Sequence, residues 1–153
     1  MTEVRLALER TNSWRQSRAW WRSERSILAG EFPARLGHAP DGEVHYLAGS
    51  GMPWAGEVWA VEVELSRKSV ARVASIMEET LDRTSDFGVP ARPEVPGVAP
   101  RYARVVYVAS ASSVMTVLHA RAQVGPPRSE RIDVHDLPDS LLRTRIPKRG
   151  WEP

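Results

Sequence analysis

The chain has 153 residues, 42% of them apolar and 26% charged, which suits one domain with a buried core. No stretch approaches the roughly 18–20 apolar residues of a membrane span, and "MTEVRLALER" lacks the apolar region of a signal peptide, so the cytoplasm is the simplest location. The absence of cysteine excludes a disulfide framework and a thiolate metal site, and a formal net charge of +2 is too small to mark a nucleic-acid binder by itself.

Taken in chain order, "TEVRLALER" (2–10) predicts a short helix and "RTNSWRQS" (10–17) a polar turn. "RAWWRSERSIL" (18–28) predicts a short strand and then a turn of helix, because paired tryptophans favour extended chain and Ser23 can cap the helical turn. Glycine and proline make 29–42 a loop. "GEVHYLAG" (42–49) alternates as a strand, "GSGMPWAG" (49–56) is a hairpin loop, and "EVWAVEVEL" (57–65) is the returning strand.

The spacing of Val70, Val73, Ala74, Met77 and Leu81 predicts a helix within 66–84, capped by Ser66 or Ser69. Four prolines make 85–102 a surface loop or insertion. "ARVVYVAS" (103–110) is apolar and β-branched, as in a central strand covered on both faces. A helix over 112–124, capped by Ser112 or Ser113, an edge-like strand over 130–137 and a weakly structured tail over 138–153 complete the chain. The order predicts one α/β (α+β) domain over 1–137, with a mixed central sheet flanked by helices.

Alternation along 57–65 puts Ala60, Glu62 and Glu64 on one face and Trp59, Val61, Val63 and Leu65 on the other. The antiparallel return brings Asp41, at the start of the first strand, towards Glu62 and Glu64. If this strand lies inside the sheet, its acids need a positive partner: a metal ion, an arginine or Lys68. If one face is solvated, they are simply exposed. Three carboxylates are hard oxygen donors of the kind that suits Mg²⁺ or Mn²⁺.

"HAPDGEV", a hairpin, "WAVEVELSRKSVAR" and then "RVVYVAS" together resemble the PD-(D/E)xK nuclease-like superfamily, nearest to actinobacterial replication-relaxation type proteins linked to plasmids and mobile elements. The resemblance spans roughly residues 2–137 and implies an αβββαβ restriction-endonuclease-like core. It implies that Asp41 is the acid of the PD motif and Glu62 the acid of the (D/E)xK motif. Both would ligate the metal with a backbone carbonyl near Val63. Glu24 falls where relatives often carry an earlier acid. Glu64 stands where the motif has lysine, which makes Lys68 the candidate migrated lysine and gives Glu64 the role of second-ion ligand or base.

The activity implied is metal-dependent hydrolysis of DNA, with Asp41, Glu62, Glu64 and Lys68 as catalytic residues and Arg22, Arg25 and Arg72 as nucleic-acid contacts. The alternative is a catalytically inactive DNA-binding or replication-associated module on the same fold. A third is an interaction protein whose acids pair with arginine. Oligomeric state stays open, a homodimer included.

Of the remaining residues, His38 and His45 read better as a loop and a strand-surface histidine than as metal ligands. Trp14, Trp20 and Trp21 could stack on bases, although tryptophan more commonly fills a core. The arginine-rich segments 5–25 and 128–149 suit either phosphate or plain solvated faces.

Overall fold

A computed structural model describes residues 2–10, 14, 16, 18–30, 38–83 and 100–137. Most of the proline-rich stretch and the tail from 138 lie outside these residues. The elements are α1 (Thr2–Glu9), β1 (Trp20–Ser23), α2 (Glu24–Gly30), β2 (Gly42–His45), β3 (Val58–Glu64), α3 (Val70–Leu81), β4 (Arg104–Ala109), α4 (Val114–Val124), a 3₁₀ turn (Arg128–Arg131) and β5 (Ile132–Asp136). The expected mixed α/β architecture is present.

The five strands form one sheet in sequential order. β1, β2 and β3 pair antiparallel, and β3, β4 and β5 pair parallel. The switch comes from connection length: a hairpin joins β2 to β3, whereas β3–α3–β4 and β4–α4–β5 are crossovers. β3 lies at the sheet centre with partners on both sides, so every backbone group along it can enter a ladder.

The sheet is covered on both faces. One face packs Ala60, Val105, Tyr107, Ala109 and Ile132 against Val73, Ala74, Met77 and Leu81 of α3 and Val117 and Ala120 of α4. The other gathers Val44, Val61, Val106 and Val108 with Val4 of α1 and Leu137, rimmed by Trp14, Trp21 and Trp59. The period expected of α3 is the one it buries, and its cap is Ser69, whose Oγ accepts from Arg72 N at 3.2 Å.

Burial on both faces decides between the two readings of β3. Glu62 and Glu64 are 5% and 4% exposed, so they do not sit on a solvated face. They point to the α3 side, as Ala60 does, at the C-terminal end of the strand where the helix begins and the core stops. Among the described residues no helix is long and apolar enough to cross a membrane.

Candidate functional site

At that strand end lies a cavity of about 100 Å³. Its polar lining is His38, Asp41, Glu62, Glu64, Lys68 and Tyr107, and its apolar wall includes Val73 and Ile76 of α3. The expected set of Asp41, Glu62, Glu64 and Lys68 therefore meets in one place.

Asp41 is fixed by backbone on both sides. Its carboxylate Oδ2 accepts from Val63 N at 2.7 Å, and its carbonyl accepts from Glu24 N at 3.2 Å. The next residue must be glycine, because a Cβ on Gly42 would lie 2.0 Å from Cζ2 of Trp21. The indole thus lies flush against the chain where Asp41 enters β2.

Glu64 is held by the turn on its C-terminal side. Ser66 donates to its Oε1 from backbone N and from Oγ, each at 3.2 Å, and Lys68 Nζ lies 2.7 Å from Oε2. Lys68 precedes α3 rather than opening it, and from the 65–69 turn it reaches back over the strand end. A pair one helical turn apart in sequence is here closed by a loop.

Glu62 has a different partner. His38 Nε2 lies 2.9 and 3.0 Å from its two oxygens, a contact between residues 24 apart. Burial pushes the Glu62 carboxyl above the usual carboxylate range, although His38 and Lys68 both pull it down. The hydrogen bond to Glu62 raises the His38 ring, against the effect of burial. The pair holds protons to higher pH than either group would in water, for two separate reasons.

Tyr107 completes the lining. β3 and β4 run parallel with Glu62 opposite Tyr107, which sets both side chains on the same face. The residue is 2% exposed, and its hydroxyl has no hydrogen-bond partner among the described residues. Burial, with Glu62, Glu64 and Asp41 nearby, raises its pKa and keeps it protonated.

A second buried glutamate sits on the same face and behaves oppositely. Glu43 is wholly buried. Its Oε1 accepts from Arg101 Nη2 at 2.6 Å, Arg101 Nε at 3.0 Å and Tyr102 Oη at 2.7 Å. Its Oε2 meets His45 Nε2 at 2.9 Å and Arg22 Nη1 at 3.3 Å. Burial alone would raise its pKa, but the hydrogen bonds from His45 and Tyr102 and the Arg101 charge more than offset it, to about 2. Glu43 is a settled structural anion. Glu62 also has a partner in His38, but burial disfavours its charge and it borders a cavity.

The other residues singled out in the sequence are placed as follows. Arg22, expected at nucleic acid, is the register partner of Glu43 and turns to it, with Nη2 donating to Ser26 O at 3.2 Å. Arg25 and Arg72 are exposed on α2 and α3, and neither lines the cavity. Glu24 is exposed, and only its backbone reaches Asp41. His38, read as a loop histidine, contacts Glu62. His45 is stacked on Trp20 at 4.0 Å and bound to Glu43. Of the two adjacent tryptophans, Trp20 is 50% exposed and Trp21 packs on the core, which meets the expectation that one of them would.

The donor set meets a small demand for a divalent cation and not a large one. Among the described residues, no three His, Asp or Glu side chains stand where they could hold a metal ion together, because Glu62 faces His38, Glu64 faces Lys68 and Asp41 faces Val63 N. Mg²⁺ does not require three: it keeps several waters and commonly takes one or two carboxylates together with substrate phosphate. Asp41 and Glu62 fit that smaller demand in chemistry, and the raised pKa of Glu62 marks a negative charge that a cation would relieve.

No family model, curated protein or solved structure matches the chain. Its function therefore rests on the chemistry of these side chains.

Proposed function

We propose that the domain is a metal-dependent nuclease-like protein acting on DNA, of the PD-(D/E)xK kind its motifs resemble, with a role in the replication or transfer of plasmids or mobile elements. One observation carries this: Asp41, Glu62 and Glu64 line a single cavity at the end of β3, and Lys68 reaches back to it. The element order α1, β1, β2, β3, α3, β4 also accords with an αβββαβ core, with α2 as an added turn.

Asp41 and Glu62 would hold Mg²⁺ or Mn²⁺, and the resemblance adds a backbone carbonyl near Val63 as a third ligand. The ion when bound supplies a Lewis acid for the phosphate and a water of lowered pKa. Lys68 sets a positive charge over the strand end, where negative charge develops on the phosphate. Glu64, beside Lys68, is the proton acceptor. Exposed Arg25 and Arg72 take the DNA backbone.

The test is nicking of supercoiled plasmid with Mg²⁺ or Mn²⁺, against an EDTA control. Lys68→Met is expected to lower turnover by about 10²–10³ while leaving metal affinity in place. Turnover unchanged by that substitution would remove lysine from the mechanism.

A second reading has its own support: Glu62 and Glu64 already have His38 and Lys68 as partners. On that reading the domain is a DNA-binding module without catalysis. It predicts DNA affinity that falls steeply with salt and no cleavage with either metal.

A further inference from the structure

The hydroxyl of Tyr107 is the loose end of the cavity. Three donor side chains face it: His38, Lys68 and Tyr107. His38 is bound to Glu62 and Lys68 to Glu64. Tyr107 is as buried as Glu62 and Glu64, and its oxygen has no partner among the described residues although carboxylates lie nearby. Buried hydroxyls are almost always satisfied, and an orphan in a native fold calls for an explanation.

We propose that the Tyr107 hydroxyl is a substrate-binding donor, held ready for a non-bridging oxygen of a phosphodiester. The assignment rests on the nuclease reading above and names the residue by which an acidic cavity grips an anion.

The chemistry supports this in three steps. A phenol is a hydrogen-bond donor at neutral pH without any help from its surroundings. Its position on β4, fixed opposite Glu62 by the parallel register, is as rigid as the sheet. A neutral donor is also compatible with nearby carboxylates, whereas another exposed cation would pair with them permanently, as Lys68 does with Glu64. A phosphate oxygen at the hydroxyl would supply the acceptor it lacks among the described residues.

The experiment compares the wild-type chain with Tyr107→Phe. Mn²⁺ binding is followed first by calorimetry, and inorganic phosphate is then titrated into the Mn²⁺-saturated proteins. The Phe variant is expected to keep the wild-type Mn²⁺ affinity and melting temperature, because the deleted group has no partner among the described residues. It should bind phosphate about ten- to a hundredfold more weakly, the worth of a hydrogen bond to a charged group. Equal phosphate affinity in the two proteins overturns the assignment while leaving the nuclease reading intact. Loss of stability in the Phe variant also overturns it, since the hydroxyl would then have a structural partner. A wild type that binds neither Mn²⁺ nor phosphate overturns the nuclease reading and this assignment with it.

Discussion

Replacing Glu43 by alanine is expected to cost the fold about 3–5 kcal/mol, the usual penalty for removing one member of a buried charged cluster. The carboxylate is the common acceptor for Arg101, Tyr102, His45 and Arg22. Without it, the buried Tyr102 hydroxyl loses its acceptor, and Arg101, Arg22 and His45 each lose a contact. Typical stabilities are only about 5–15 kcal/mol, so the variant should be partly unfolded at about 37 °C.

The same contacts predict a pH dependence. The carboxyl titrates near 2 in the fold against an ordinary 4.5. A depressed pKa contributes stability that is fully present above pH 4.5 and is lost as pH falls from there through 2. Its size is about 3 kcal/mol, at roughly 1.4 kcal/mol per pH unit. Glu43→Gln keeps an acceptor but removes the charge, so its urea midpoint should lie well below wild type at pH 7 and approach it at pH 3. An equal gap at both pH values would show that Glu43 is not ionised in the fold.

Glu62→Gln is expected to do the reverse. Nuclease activity should fall by about 10³ or more, since losing a metal ligand forfeits several kcal/mol of transition-state stabilisation. Stability should hold or rise. Burial disfavours the Glu62 charge, and an amide of the same shape relieves that cost while its oxygen still accepts from His38. Two buried glutamates on one face of one sheet thus predict opposite outcomes. One anchors the fold, and the other, on the nuclease reading, is carried at some cost for the metal it holds. Matched thermal melts and plasmid-nicking rates check this. A Glu62 variant that loses stability as Glu43 variants do would make Glu62 structural.

The fold was legible where one short-range pattern dominates. The 3.6-residue period of 70–81 and the apolar run of 104–109 suffice for α3 and β4, and the acids of 57–65 mark a face that needs partners. Boundaries shifted where side chains compete with the ladder. The helix starts at 70 rather than near 66 because Ser66 and Lys68 serve Glu64. Ser113 marks the start of α4 but donates its hydroxyl to Glu64 O at 2.6 Å instead of capping the helix.

Pairing was the illegible part. That His38 rather than lysine would reach Glu62 depends on how 38–41 lies across β3. Local spacing shows only that His38 stands three residues before Asp41. Tyr107 enters the site through the β3–β4 register, which no local pattern encodes. The β1–β2 register likewise sets Arg22 against Glu43. In each case the sequence announces that a charge needs a partner, and long-range geometry chooses which.

The most decisive measurement is Mn²⁺ titration of the wild-type chain, beside Asp41→Asn and Glu62→Gln. One saturable site in the wild type, lost or severely weakened in both variants while their folds persist, is the predicted result. A wild type that binds no Mn²⁺, or binding that both variants retain unchanged, would contradict it.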